Sequence, residues 1–264
     1  MRSNLQSLRK NRKAASPAVS AVIITAATVV LVIISSLYAL QVLTRQEAQA
    51  ELETSQNSIL AFDDALRDIA WDRDGSRSVR FTAKYGNMRL IDEGKSLNIT
   101  VSGVETPFSR EVSTAVVKYQ LPNSYGISGS GSSYILGDNR TVVSKLSDDL
   151  GQALLAYESE LASISLNYRV RISEGGTIQV GYDTVTYVDI FVIKLTCNSS
   201  AIGASDFDLT CKNIGLSTES FTYDINGPIS INVTDGTESD TVDLTLTGDS
   251  VSFNLITAEV RVST

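Results

Sequence analysis

Residues 18–42, AVSAVIITAATVVLVIISSLYALQV, decide the fold of this chain because they contain no charged residue over 25 positions. A helix of about 20 apolar residues, rising about 1.5 Å per residue, crosses the hydrocarbon core of a bilayer. No comparable apolar run occurs elsewhere in the 264 residues. The stretch therefore predicts a membrane-spanning helix that separates a short leader from a long polar body.

The two sides of this segment differ in charge. Residues 1–14 carry five basic residues and no acidic one, and the first acidic residue of the chain is Glu47. By the positive-inside rule, the leader is expected in the cytoplasm and the body outside the cell. The sequence after the leader holds 17 basic and 30 acidic residues. Such an acidic body argues against nucleic acid as a partner, because binding to phosphates needs basic groups.

The helix is expected to continue beyond the membrane. Ser16 suits an N-cap and Pro17 the first helical turn, so we predict a helix from Pro17 to about Trp71, within a segment 15–74 that Asp74 and Gly75 end. The sequence after residue 42 contains neither Gly nor Pro before residue 75. A stripe of helical period predicts a face that packs on a folded domain, with a coiled-coil stalk as the alternative. Its members are Leu52, Ser55, Ile59, Phe62, Leu66 and Ile69.

From residue 75 to residue 264 the apolar period changes to two, which is typical of strands. The clearest alternation runs from Ile164 to Ile172, and Gly86-Asn87 is expected to be a turn. We predict an α+β chain whose body is β-sandwich-like and mostly antiparallel, with room for two modules joined near 175–200. For Leu146–Leu161 the leucine spacing favours a short helix or mixed segment, and the β-rich context favours a strand pair.

The side-chain inventory gives no sign of an enzyme. The chain contains no histidine, which removes the commonest general base and metal ligand. Paired acids such as Asp63-Asp64 are expected to lie on a solvated face, since adjacent helical residues do not face each other. We find no phosphate loop, nucleophile elbow or catalytic triad. No catalytic residue, cofactor or metal is therefore expected.

Cys197 and Cys211 flank a polar stretch rich in Ser, Gly and Asn. Outside the cell, such a stretch permits a disulfide that closes a hairpin, with a stabilisation of roughly 3 kcal/mol for a loop of this length. Two buried free thiols are the alternative.

Four sequons of the form N-x-[ST] follow the apolar segment, at Asn98, Asn139, Asn198 and Asn232. If the body is external, at least one of them is expected to carry a glycan. The alternative is that they are ordinary polar turns.

Small side chains keep the first half of the apolar segment slim. Ala21, Thr25, Ala26 and Thr28 are among them, whereas residues 31–40 are bulkier. Small residues let helices approach closely in a membrane or an apolar bundle. This pattern favours packing between helices over a plain lipid anchor.

The N-terminus resembles that of archaeal type IV pilins, which carry class III signal peptides. In this family a basic leader ends in a basic residue followed by Gly or Ala, and a Ser-Pro pair precedes a long apolar helix. Here Arg12, Lys13 and Ala14 match the end of the leader, and Ser16 and Pro17 match the Ser-Pro pair. The next residues are Ala18-Val19-Ser20 rather than the family's Val-Ile-Gly. The resemblance covers about residues 9–45.

This resemblance implies cleavage near Lys13, Ala14 and Ala15 and assembly through the helix, with Ser16 and Pro17 at its start. It implies a major or a minor, adhesive pilin of a cell-surface filament. The implied partners are a prepilin peptidase, an assembly ATPase with its membrane platform, and copies of this chain or other pilins. The alternative function is a signal-anchored surface protein that binds a glycan, surface layer or partner and never polymerises.

Overall fold

A computed structural model describes the backbone of residues 5–127, 129–198 and 200–264, and the side chains of these residues from Val19 onward except Ala204. One long N-terminal helix precedes a mostly antiparallel β-rich body, which confirms the predicted α+β class. The chain forms two compact units, one ending at Glu47 and the other comprising Ala48–Thr264. The elements are α1 (Leu5–Ala70), β1 (Ser76–Val104), β2 (Phe108–Pro122), a 3-10 turn (Asn123–Tyr125), β3 (Gly131–Leu136), β4 (Val142–Val143), β5 (Gly151–Tyr157), β6 (Leu161–Tyr168), β7 (Val170–Val180), β8 (Asp183–Cys197), β9 (Ser200–Thr234), β10 (Ser239–Leu244) and β11 (Ser250–Ser263).

Helix α1 begins at Leu5, so the predicted start at Ser16 and Pro17 is wrong. The reason is local composition: residues 5–15 contain neither Gly nor Pro and are rich in strong helix formers. Pro17 therefore lies inside the helix, where it cannot donate a backbone hydrogen bond to the preceding turn.

The strands form one sheet in the order β3-β5-β6-β2-β1-β9-β11-β8-β7-β4, and β10 pairs with β9 outside this path. β1 and β2 are antiparallel, and their register shifts between Ile91 and Lys95, where Glu93 has a φ of 49°. β8 and β11 run parallel, from Val185 opposite Ser250 onward. The expected turn at Gly86-Asn87 is absent, because β1 continues through both residues.

Two hydrophobic cores lie along the same strands. β8 contributes Val188 and Val192 to one core and Ile193 and Leu195 to the other. β1, β2, β9 and β11 likewise pass through both cores. The two modules expected to join near 175–200 are therefore not successive in sequence, since long strands carry both cores side by side.

The expectation of a helix or mixed segment at 146–161 is wrong. β5 and β6 form an antiparallel hairpin there, with Leu155 opposite Ile164. Alternate side chains of β5, Ala153 and Leu155, are buried, whereas Leu146 is 82% exposed. Burial on one face of the sheet outweighs the helical spacing of the leucines.

Candidate membrane and assembly helix

The apolar part of α1 is uncovered in its own unit. Its large side chains are exposed all round the helix, for example Val22 at 67% and Leu31 at 62%. By length and composition it is long enough to cross a membrane, and no part of its most apolar window is buried by the described chain. Such a surface needs lipid or other apolar helices, because transfer of apolar surface out of water is favourable.

Three hydroxyl groups within this apolar part donate to backbone oxygens of the helix itself. Thr25 Oγ1 donates to the carbonyl oxygens of Ala21 at 3.1 Å and Val22 at 3.0 Å. Thr28 Oγ1 donates to the Thr25 oxygen at 2.8 Å, and Ser36 Oγ to the Val32 oxygen at 2.7 Å. These polar groups can therefore enter an apolar environment without losing a hydrogen bond.

Three of the four small residues predicted for assembly share one face of the helix. Ala21, Thr25 and Thr28 follow steps of four and three residues, whereas Ala26 projects roughly 140° from Ala21. All four are exposed. The other predicted positions, Lys13, Ala14, Ala15, Ser16 and Pro17, lie in helical backbone, and their side chains are outside the described residues.

The second half of α1 is built into the body, as its stripe predicts. Ile59, Phe62 and Leu66 are completely buried, and the remaining members of the stripe, Leu52, Ser55 and Ile69, are 2–3% exposed. Phe62 meets Phe81 of β1 edge to face, with 6.1 Å between the ring centroids. The expected packing face is confirmed.

A buried carboxylate holds this half of the helix on β1. Glu51, which is 7% exposed, accepts hydrogen bonds from the backbone N–H groups of Lys84 at 3.0 Å, Tyr85 at 3.1 Å and Gly86 at 2.9 Å. The hydroxyl of Tyr119 donates to Glu51 Oε1 at 2.6 Å. Burial and the adjacent carboxylate raise the pKa of Tyr119, so this hydroxyl keeps its proton.

Gly86 is required for this arrangement, since a Cβ at this position would collide with the Tyr119 hydroxyl. Glu51 is not among the residues that the sequence predicts to have a role, although its spacing to Ser55 and Ile59 places it on the buried stripe. An acid within an apolar stripe is the signal that could have identified it.

A second buried acid fixes the next turns of the helix. Asp63 is 1% exposed, so the expectation of a solvated face is wrong for it, whereas the Asp64 side chain is 72% exposed. Asp63 accepts from the Tyr168 hydroxyl at 2.9 Å and pairs with Arg67 Nε at 2.8 Å. Burial raises the pKa of Asp63, and Arg67 and Tyr168 oppose that rise.

Asn213 of β9 closes the C-terminal end of α1. Its Nδ2 group donates to the carbonyl oxygens of Ile69 at 3.1 Å and Ala70 at 2.8 Å. Its backbone N–H donates to the Gly75 oxygen at 2.9 Å. The last carbonyl groups of a helix lack hydrogen-bond donors within the helix. Here the buried side-chain amide of a distant strand provides the donor.

Cys197 and Cys211 are free, so the predicted disulfide is wrong. Strand β11 lies between them, with Val262 opposite Cys197 on one side and opposite Cys211 on the other. Two strand spacings separate them by about 10 Å, beyond the reach of a disulfide. Burial raises the pKa of Cys197 to about 11 and also raises that of Cys211.

The four sequons lie at different depths. Asn98, Asn139 and Asn198 are exposed, whereas Asn232 is half-buried and donates to Ser239 and Thr241. In the second sequon, the hydroxyl of Thr141 is buried and donates to the Val233 oxygen at 2.7 Å. Glycosylation at the exposed sites stays a prediction.

No family model, curated protein or solved structure matches this chain. Among the residues described, no group of three or more His, Cys, Asp or Glu side chains is placed to hold a metal ion. The main feature of the described chain is the contrast between the uncovered apolar segment and the half of α1 that is fixed in the body.

Proposed function

We propose that this chain is a structural subunit of a type IV pilus-like cell-surface filament, assembled through α1. The observation that carries the proposal is that one uninterrupted helix contains both an uncovered apolar segment and a buried stripe that belongs to the core of the body. In a membrane precursor the apolar segment is covered by lipid. In a filament it is covered by the same segment of neighbouring subunits.

The way in which the body holds α1 supports a role in transmitting mechanical force between subunits. Glu51, Asp63 and Asn213 join residues 51–70 of the helix to three different strands, β1, β6 and β9. A tether that only retains a protein at the membrane requires no such attachment. A subunit whose helix transmits force between neighbours does require one.

The proposed partners are other copies of this chain or other pilins, a prepilin peptidase, and an assembly ATPase with its membrane platform. Cleavage is proposed near Ala14 and Ala15. Pro17 removes one helical hydrogen bond beside this junction, which favours local opening of the backbone there. The subunit is either a major pilin or a minor, adhesive one.

The second candidate function is a signal-anchored surface protein that does not polymerise. It is favoured by the same uncovered helix, since a single span suffices to hold a body at the membrane. The two candidates differ at the mature N-terminus. A chain that starts at Ala15 supports the pilin, and a chain that keeps Met1 supports the anchor.

Larger side chains in the first half of the apolar segment, where the small residues lie, test whether the helix packs against other helices. Ala21→Leu overpacks a helix bundle by about 1–3 kcal/mol per site, whereas a lipid span accepts Leu at least as well as Ala. Ala39→Leu, in the bulkier half, is the matched control. Each variant is compared for membrane insertion and for filaments sheared from the cell surface.

Normal insertion of both variants, with filaments lost only for Ala21→Leu, supports the pilus subunit. Unchanged filaments would overturn the packing argument. Absence of filaments from the parent chain would favour the anchored protein.

A further inference from the structure

The tip of the β7–β8 hairpin is exposed on both faces. Val180 lies opposite Asp183 across the two-residue turn Gly181-Tyr182, and the φ of Gly181 is +69°. Every β7 side chain from residue 174 to residue 180 is exposed. Ile178 is 56%, Val180 55% and Tyr182 fully exposed. Residues 174–183 are called the β7–β8 arm below.

The outer edge of β7 is open along this arm. In the described part of the chain, the outer side of β7 pairs with β4 only at Val170 and Arg171. A two-residue turn is closed by hydrogen bonds between its flanking residues, here Val180 and Asp183. Because bonding alternates along an antiparallel pair, the backbone N–H and C=O groups of Thr177 and Gln179 point away from β8.

Apart from the register shift between Glu174 and Gly176, which lies before the paired residues, this edge lacks the features that normally protect a strand from pairing. Natural sheets cover their edges or place Lys, Pro or inward-pointing charges there. Residues 175–182, GGTIQVGY, contain no charged residue and no proline, in a chain with a net charge of −8. An open, uncharged edge with three exposed β-branched side chains, at Thr177, Ile178 and Val180, is a site for the addition of a strand.

We propose that the β7–β8 arm pairs with the arm of a second copy of this chain, as an antiparallel edge-to-edge contact around a two-fold axis. The register follows from the outward backbone groups. Thr177 lies opposite Gln179 of the second copy, and two such pairs form the hydrogen bonds. Ile178 lies opposite Ile178 of the second copy between them, on the axis.

Charge and backbone chemistry favour a strand of a second copy over a lipid surface or a glycan as the partner of this edge. Unpaired N–H and C=O groups in a row are matched by a strand, and neither a lipid surface nor a glycan presents such a row. The acidic bodies of two copies repel each other, but the paired residues 176–180 carry no charge, and Glu174 and Asp183 lie outside them. Copies held in one membrane or filament meet at high effective concentration, which offsets the small contact area.

The pairing goes beyond the proposed filament and does not depend on it, since two anchored copies make the same contact. It gives the arm a defined role: lateral association of bodies, whether within one surface layer or between filaments.

Cross-linking of the full-length chain in lipid vesicles tests this register. In the predicted pair the two Ile178 residues face each other without hydrogen bonds, with Cα atoms about 4.5 Å apart, so Ile178→Cys can form a disulfide. We expect mild oxidation to give a covalent dimer of Ile178→Cys. Val180→Cys, displaced by two residues, and the parent chain with its two native thiols are the controls.

Proline at residue 179 tests the hydrogen bonds. In the Ile178→Cys background, Gln179→Pro removes an outward N–H while leaving the bonds to β8 intact. Gln179→Ala keeps that N–H. We expect the dimer to be lost with Gln179→Pro and retained with Gln179→Ala, at unchanged melting temperature of the body.

The contrary outcomes are specific. Equal cross-linking of Val180→Cys would overturn the register, and absence of an Ile178→Cys dimer would overturn the pairing. A dimer that disappears with Ala21→Leu would assign the association to the apolar helix and overturn the arm contact. Loss of filaments with a retained dimer would count against the proposed assembly alone.

Discussion

The apolar half of α1, residues 18–42, and its second half, residues 51–70, are both helical but differ in what surrounds them. In the apolar half, side chains such as Ile33 at 53% and Tyr38 at 69% are exposed in every direction. In the second half one stripe is buried, and hydrogen bonds from the body are accepted by the carboxylates of Glu51 and Asp63 and by the last backbone carbonyl groups of the helix. A helix that is apolar all round requires a uniform apolar medium, whereas a striped helix requires one partner surface.

The difference shows how one continuous helix can serve two environments. The apolar half contains only hydroxyls and amides as polar groups, and several hydroxyls bond back to the helix. The second half places carboxylates among buried residues, where specific donors are needed to offset desolvation. Polar groups therefore specify the position of the second half on the sheet. Among the described residues of the apolar half no polar group specifies a partner, so either lipid or other apolar helices can cover it.

The largest expected effect is the loss of stability when a buried side chain of the second half of α1 is truncated. Phe62→Ala removes a completely buried ring that contacts Phe81 and is expected to lower the free energy of unfolding of the body by about 3–5 kcal/mol. Ile33→Ala, in the apolar half, is expected to leave it unchanged. Chemical denaturation in detergent, followed by tryptophan fluorescence, measures both. An equal loss for the two variants would contradict the separation of the halves.

The next effect concerns the carboxylate clamp. Glu51→Ala leaves three backbone N–H groups and the Tyr119 hydroxyl without their acceptor, and the expected loss is roughly 2–3 kcal/mol. Glu53→Ala is the matched control, since Glu53 is exposed two residues away. The same denaturation experiment measures both variants. A Glu51→Ala chain as stable as the control would show that the clamp does not hold the helix.

A smaller effect is expected from acid, and only in the body. Burial acts to raise the pKa of Asp235, but backbone N–H groups of Glu238 and Thr237, the Thr237 hydroxyl and Lys95 outweigh it and hold the pKa at about 2. Because this value lies below the ordinary 3.8, the stabilisation is complete above pH about 4 and is lost as the pH falls towards 2.

Asp235→Asn should therefore flatten the fall of the melting temperature between pH 4 and pH 2. Residues 19–44 contain no acidic or basic group, and their helicity should not change over that interval. A melting temperature that falls equally in parent and variant would show that protonation of Asp235 does not cause the loss of stability in acid.

The smallest expected effect is that of reductant on the body. Since Cys197 and Cys211 are free thiols, addition of dithiothreitol should leave the melting temperature unchanged. Alkylation of the unfolded chain without reductant should label both cysteines, as shown by intact mass. A bridge detected in protein recovered from outside the cell would show that β11 does not lie between β8 and β9.

Elements with one dominant local signal could be predicted from the sequence. The apolar run of 18–42 and the stripe from Leu52 to Ile69 follow directly from composition and period. The segment 146–161 could not be predicted, because its leucine spacing fits a helix and only pairing of β5 with β6 decides for strands. The start of α1 could not be predicted either, because the Ser-Pro pair signals a helix start at residues 16–17 whereas the helix formers before it extend the helix back to Leu5.

By itself the sequence determined that the chain has a membrane-compatible helix, an amphipathic continuation and a β-rich acidic body, because each depends on residues that are neighbours along the chain. Only the tertiary structure decided that Glu51 and Asp63 are buried clamps, that β11 separates the two cysteines, and that the edge of the β7–β8 arm is open. The clamps and the separation of the cysteines depend on pairings between residues more than 30 positions apart, and the open edge depends on β4 reaching β7 only at Val170 and Arg171. Local composition carries no record of such pairings, because the order of strands in a sheet is set by packing of the whole body.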